Sequence, residues 1–398
     1  MQGYQEFEKT IRRYNISWKI PLFKIYWDKQ DVELVSDAIK QGMNWAIGTN
    51  IELFEHMLSE YLGAKYALVF NSGTSALHAA MLAHGIGQGD EVIVPSFTFI
   101  ATANAPLFVG AKPVFADIED KTYGLDPDDV KKKITKKTRA IMPIHYGGSP
   151  CLASELAKVA EENGLLLIED AAESLGAQVK GKKVGTFGHS SMLSFCSNKV
   201  ISTGEGGAII TNSRDVSEKA RLIRSHGRLE DSNYFSSVEY LDYVSLGYNF
   251  RMSNITAALG IAQLGHLDKL IEMRRKNAAY MTDRLSEINE ITPPQSPNDY
   301  FHVYQMYTVK LRGQKGTRDR LAKYLKEQGI MTKVYFSPVH LSHFYKKVLG
   351  YKCRLPVTEE LSEKVLTLPM YPALTKQDID YIVDNIKAFF GEEGSRDR

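Results

Sequence analysis

The sequence predicts an α/β protein with a mainly parallel sheet covered on both faces, followed by a smaller α+β region at the C-terminus. Three observations carry that expectation. Apolar runs of strand length alternate with helix-period segments from residue 66 to residue 210. Short polar turns rich in Ser, Thr, Gly and Asp close those runs, as where parallel strands feed crossover helices. Past Pro293, Pro294 and Pro297 the alternation loosens into fewer, more widely spaced elements. The expected division is a large domain over residues 20–265, a small C-terminal domain over 266–392, and an unassigned N-terminal extension over 1–19.

The elements follow in order. Val32, Leu34, Val35, Ala38 and Ile39 keep helical spacing across 31–41, and Leu53, Phe54, Met57, Leu58, Tyr61 and Leu62 do so across 51–62. Residues 66–70 read as a buried strand that runs through Asn71–Ser–Gly73–Thr74 into a helix over 75–84. Strand 91–95, helix 98–109 and strand 113–118 come next. Asp126 followed by Pro127 starts a helix, a capping side chain before a proline in the first turn. Further strands are expected at 139–145, 165–170, 192–195 and 208–210, with a helix at 152–163. A long helical region covers 253–288, with Gly260 and Gly265 as soft points. Strands at 304–311 and 331–336 flank a helix at 317–328. Thr375 caps a last helix whose Ile379, Ile382, Ile386 and Phe389 share a face, and the tail after Gly391 is expected to fray.

Composition narrows the function. Of 398 residues, 43% are hydrophobic and 24% charged, the balance of a soluble globular protein with a substantial core. A net charge of +2 gives no electrostatic reason to expect nucleic acid or an anionic membrane as partner. No apolar run approaches a membrane span, and the first residues are too polar for a signal peptide. Cys151, Cys196 and Cys353 lack metal or disulfide spacing, so reduced thiols in a cytoplasmic protein are expected.

Three features at strand ends carry chemistry. Gly73–Thr74 sits where a strand becomes a helix, so free N–H groups and the helix dipole favour a phosphate there. Asp170 ends the apolar run 165–170, where a carboxylate can hold a pyridine nitrogen protonated. Lys199 lies between two apolar runs, with no acidic residue within five positions and Ser194, Ser197, Ser202 and Thr203 around it. Desolvation there would lower its pKa and make the amine a nucleophile able to form a Schiff base. Each has an ordinary reading alone: a capped helix, a turn aspartate, a surface lysine. Together and in this order they would build a site for pyridoxal 5′-phosphate, a coincidence far rarer than any one of them.

The chain resembles the DegT/DnrJ/EryC1/StrS family of nucleotide-sugar aminotransferases over about residues 20–390. The match rests on Asn71–Ser–Gly–Thr–Ser–Ala–Leu–His–Ala–Ala, Gly87–Gln–Gly–Asp–Glu–Val–Ile–Val–Pro–Ser–Phe–Thr–Phe and Ile168–Glu–Asp–Ala–Ala–Glu–Ser–Leu–Gly. It continues through Ser194–Phe–Cys–Ser–Asn–Lys, Thr203–Gly–Glu–Gly–Gly and Gly247–Tyr–Asn–Phe–Arg–Met–Ser. The resemblance implies the fold-type-I, aspartate aminotransferase-like architecture and pyridoxal 5′-phosphate as cofactor. It implies Lys199 as the Schiff-base and proton-shuttling lysine, Asp170 as the pyridine-nitrogen partner and Glu173 as the residue near the phenolic oxygen. Phe99 matches the stacking aromatic, and Gly73, Thr74 and Ser194 the phosphate ligands. Asn249 matches the asparagine lent to the neighbouring subunit's phosphate, which implies a homodimer with shared sites. His145, Arg251 and His340 fall in motifs that line the sugar-nucleotide cleft.

Asn198–Lys199 followed by Thr–Gly–Glu–Gly–Gly resembles the branch that aminates C4 of 4-keto-6-deoxy sugars, and GDP-linked perosamine formation from L-glutamate is the favoured expectation. A UDP- or dTDP-linked sugar or a C3 ketone is the alternative. A non-catalytic sugar-nucleotide sensor is a third, whose mark would be loss of Lys199 or Asp170; both are present. The chain departs from the pattern at residues 1–19, at Ser149–Pro–Cys–Leu, in a longer 229–246 segment and in a shortened 45–48 turn.

Overall fold

The computed structural model describes residues 18–229 and 242–396. Residues 1–17 of the expected N-terminal extension, and 230–241 inside the expected long segment, lie outside the described residues. Seven strands form the main sheet: β1 (Tyr66–Phe70), β2 (Glu91–Pro95), β3 (Lys112–Ala116), β4 (Thr138–Ile141), β5 (Leu166–Asp170), β8 (Ser190–Ser194) and β9 (Gly207–Thr211), in the order β1-β9-β8-β5-β4-β2-β3. The five strands from β8 to β3 are parallel to their neighbours, and β9 runs antiparallel to both β8 and β1. β1 therefore points the same way as β8, and the carboxyl ends of six strands share one edge.

Strand alternation divides the core. Leu68, Phe70 and Ile209 pack on one face with Ala76, Leu77 and Ala80 of helix Gly73–Ala83. Ala67, Val69, Ala208 and Ile210 pack on the other with Phe54 and Leu58 of helix Thr49–Leu62 and Ala257 of helix Asn254–Gly265. This period-2 division is what a sheet buried on both faces requires. A short hairpin, β6 (Gln178–Val179) and β7 (Lys182–Lys183), pairs with β11 (Tyr300–Phe301).

At the C-terminal end, β10 (Ile291–Thr292), β12 (Tyr307–Leu311) and β13 (Val365–Leu368) form an antiparallel sheet. Its core takes Met281 and Leu285 of helix Leu267–Leu285, Leu321 and Leu325 of helix Thr317–Glu327, and Ile382 and Ile386 of helix Lys376–Arg396. Hydrogen bonds tie this part to the main sheet: Val303 N–H to Gly148 O at 3.0 Å and Met306 N–H to Gly147 O at 2.9 Å. Gln305 Nε2 donates to Asn198 O at 2.8 Å.

Four local readings change. The long helical region is two helices that break at His266, while Gly260 lies where a Cβ would come within 2.5 Å of the Phe54 ring and so serves close packing. Residues 331–336 make a single bridge, Lys333 to Thr367, instead of a strand, because the chain then turns along a cavity. Helices Arg214–Arg224 and Pro356–Lys364 were not expected, although Ser213 caps the first and Val216, Ala220 and Ile223 give it a buried face. The last helix continues beyond Gly391 to Arg396.

Candidate active site

The common carboxyl edge is where the three chemical features meet. Ser72 Oγ caps helix Gly73–Ala83 by accepting the Ser75 N–H at 3.1 Å. First-turn N–H groups have no intrahelical acceptor, and Gly73 and Thr74 both line a cavity of about 430 Å³. Glycine is required there by close approach: a Cβ on Gly73 would lie 3.0 Å from Met192 Sδ, and one on Gly207 would lie 2.5 Å from Gly73 N. Gly73, Thr74 and Ser194 thus come together on the cavity wall at a helix N-terminus, a setting that suits an anion.

Glu169 and Asp170 end β5 and point to opposite faces. Asp170 is 3% exposed and lines the cavity. Its Oδ2 accepts Thr102 Oγ1–H at 2.6 Å and its Oδ1 accepts the Ala172 N–H at 3.1 Å, and Thr98 Oγ1 lies 2.7 Å from Thr102 Oγ1. Burial raises the pKa of Asp170, opposed by the Thr102 hydroxyl, the Ala172 N–H and Lys199. A cation entering the cavity favours the ionised form that burial disfavours.

Lys199 rides on the turn between β8 and β9. Its N–H donates to Cys196 O at 3.0 Å, and its side chain is 14% exposed. Lys199 Nζ lies 3.5 Å from Glu173 Oε1, while Glu173 Oε2 accepts the Gly147 N–H at 2.8 Å. Burial raises the Glu173 pKa against the pull of Lys199 and Gly147. The lysine that has no acid near it in sequence thus has one in space, brought from 26 residues upstream.

The structure brings Gly73, Thr74, Phe99, Asp170, Glu173, Ser194 and Lys199 onto one cavity. Phe99 is 58% exposed, with its ring 6.5 Å from that of Phe336. This donor set fits pyridoxal 5′-phosphate. Two helix-terminal amides and a hydroxyl suit a phosphate, a buried carboxylate suits a ring nitrogen, and an amine beside a second carboxylate suits an aldehyde.

Four expected residues are not on that lining. His145 is fully buried behind β5: its Nδ1 accepts the Cys151 N–H at 3.2 Å, which leaves Nε2 to donate to Glu169 Oε2 at 3.0 Å. His340 is 2% exposed, with Nδ1 2.7 Å from Ser96 Oγ and Nε2 3.3 Å from Glu359 Oε1. Arg251 donates to Ser225 Oγ at 3.1 Å, beside its backbone bridge to Phe70. Asn249 is exposed, and its carbonyl accepts Asn71 Nδ2 at 3.3 Å, next to the Gly73 cradle.

Thr102, Cys196, Asn198, Glu205, Lys333, Tyr335 and Phe336 also line the cavity. Thr98 and Thr102, one helical turn apart, were a readable signal for a hydroxyl pair beneath Asp170. Lys333, Tyr335 and Phe336 arrive from the C-terminal part, and no spacing around Lys199 points to them.

The chain matches the family described as DegT/DnrJ/EryC1/StrS aminotransferases over residues 26–387. It is 39% identical to a GDP-perosamine synthase of Caulobacter vibrioides over 340 residues, 85% of this chain and 89% of that protein. It is 38% identical to a pleiotropic regulatory protein of Geobacillus stearothermophilus over 367 residues, 91% and 95% of the two chains. In structure it matches Helicobacter pylori PseC, an aminotransferase involved in pseudoaminic acid biosynthesis, with TM-score 0.87 and 29% identity over 94% of this chain and 99% of that one.

Proposed function

From the premise that the chain belongs to the DegT/DnrJ/EryC1/StrS aminotransferase family, with pyridoxal 5′-phosphate as cofactor, we propose that it moves an amino group from L-glutamate to C4 of a nucleotide-linked 4-keto-6-deoxyhexose. GDP-4-keto-6-deoxymannose is the favoured acceptor and GDP-perosamine the favoured product. The observation that carries the aminotransferase chemistry is the meeting of Lys199, Asp170 and Glu173 on one cavity with the Gly73–Thr74 cradle. The choice of sugar is supported by the likeness to the Caulobacter enzyme and by the Thr203–Gly–Glu–Gly–Gly segment.

When bound, the cofactor supplies an aldehyde that exchanges amines and a ring that accepts electrons. The protein does the rest. Gly73 and Thr74 amides with Ser194 bind the phosphate, and Phe99 packs against the ring. Thr98 and Thr102 orient the Asp170 carboxylate, which holds the ring nitrogen's proton. Glu173 holds Lys199 Nζ within reach, so that the amine can take a proton from one carbon and return it to another as general base and then general acid. Exclusion of water falls to Tyr335 and Phe336 on the facing wall.

The active form is inferred to be a homodimer in which Asn249 serves the neighbouring phosphate. Exposed Trp27 (68%), Met43 (82%) and Leu246 (81%) supply apolar surface for such a contact. No helix among the described residues is long and apolar enough to cross a membrane, and a cytoplasmic location is the matching inference. The regulatory name of the Geobacillus relative makes a sensor the contrary reading, but a sensor has no use for Lys199 and Glu173 held together. The deciding experiment offers glutamate with GDP-, UDP- and dTDP-linked 4-keto-6-deoxy sugars and reads 2-oxoglutarate. Turnover with the GDP sugar is expected to lead. Preference for UDP or dTDP reassigns the acceptor, and no turnover with any of them overturns the activity.

A further inference from the structure

We infer that Lys333 is the substrate-anion residue of this site, taking the oxyanion that each substrate carries: a carboxylate of the amino donor or a phosphate of the nucleotide sugar. The inference rests on the aminotransferase reading above and deepens it. It starts from the charges on the cavity wall. Among the described residues, Asp170, Glu173 and Glu205 are its acids, and Lys199 and Lys333 are its cations. Lys199 is held by Glu173 and belongs to the chemical step. An anion entering the cavity therefore finds three carboxylates and one cation free to meet it.

The backbone presents Lys333 for that role. Its N–H donates to Thr367 O at 3.2 Å and its carbonyl accepts the Thr367 N–H at 2.8 Å, so the residue is pinned at the end of β13 while its side chain is exposed on the cavity. The ammonium lies 4.8 Å from the centroid of the Tyr335 ring, a contact that steadies a long side chain while leaving its N–H donors available. Among the described residues no carboxylate forms an ion pair with it. Lys333 also arrives from the C-terminal part, across from the Gly73–Thr74 cradle of the main sheet, so the cofactor phosphate and the substrate anion have separate cations and amides. In an alternating reaction both substrates use this one cavity in turn, and both bring an oxyanion.

The test uses the holoenzyme and two non-reacting probes, maleate for the carboxylate and GDP for the phosphate, titrated by calorimetry into wild type, Lys333→Ala and Lys333→Arg. Loss of one charge-assisted hydrogen bond predicts roughly tenfold or greater weakening in Lys333→Ala, with most of it recovered in Lys333→Arg. Weakening of maleate alone assigns the amino donor as the source, of GDP alone the nucleotide sugar, and of both the shared role. In turnover the same variant is expected to raise KM for the corresponding substrate by a similar factor with kcat changed less. Unchanged affinities for both probes overturn the inference, as does a loss that arginine does not recover, or a wild type that binds neither. Failure of the activity itself reads differently: wild type would give no 2-oxoglutarate with any sugar while probe binding still depended on residue 333.

Discussion

Glu169 and Asp170 are consecutive carboxylates on one strand, both buried, and they do opposite things. Glu169 faces protein: its oxygens accept the N–H groups of Gly185, Phe187 and Gly188 at 2.7–2.8 Å, and His145 Nε2 at 3.0 Å. Every lone-pair direction is used, and nothing remains for a ligand. Asp170 faces the cavity and accepts two hydrogen bonds, which leaves capacity for an incoming cation. The difference teaches that burial and charge alone do not mark a functional acid. What sets Asp170 apart is incomplete saturation toward open space.

The sharpest way to break that comparison is on the cavity side. Lys199→Ala is expected to cut glutamate-dependent turnover about 10²–10⁴-fold, and Asp170→Asn to fall in the same direction, both with a thermal midpoint near wild type. Normal turnover in either variant would remove the site. On the protein side, Glu169→Ala strips the acceptor from two buried donors, the Gly185 N–H and the His145 ring, and from the half-buried N–H groups of Phe187 and Gly188. At about 1–3 kcal/mol for each of the two buried donors, chemical denaturation should show a loss of about 2 kcal/mol or more, and a variant as stable as wild type would mean that the saturated side holds nothing together.

Acid sharpens the contrast through another group whose partner is protein. His84 Nε2 lies 2.8 Å from Ser190 Oγ, and burial, then His189, Lys219 and Arg139 nearby, push its pKa down to about 4. A histidine depressed below its unfolded value of about 6.5 contributes stability that is complete above that value and drains as pH falls toward about 4. The thermal midpoint should therefore decline across that window, and His84→Asn should flatten the decline. The smallest effect is expected at Thr102→Val, which keeps the shape and removes one hydroxyl from Asp170. Loss of a single charge-assisted hydrogen bond predicts about a tenfold drop in turnover, with the fold unchanged by circular dichroism.

Much of this was legible in the chain. The apolar runs and polar turns placed the strands of the main sheet, because strands buried on both faces must be apolar throughout. Gly73, Thr74, Asp170 and Lys199 stood out as strand-end residues for the same reason. What was not legible was direction in space. No spacing distinguishes Glu169 from Asp170 until the strand is set against its neighbours, and none couples Lys199 to Glu173. His145 and His340 carry motif positions, yet the structure seats them against Glu169, Ser96 and Glu359, contacts made by residues 19 to 244 positions apart. Residues 331–336 alternate like a strand but make one bridge, Lys333 to Thr367 on the free edge of β13, before the chain turns along the cavity.

Gln305 grips the carbonyl of Asn198, immediately before Lys199. During synthesis the amine therefore emerges from the ribosome well before one of the groups that hold its turn. A nascent chain that stops short of residue 305 has the local hydrogen bonds of that turn, Lys199 N–H to Cys196 O and Thr203 N–H to Phe195 O, without the one that comes from the C-terminal part.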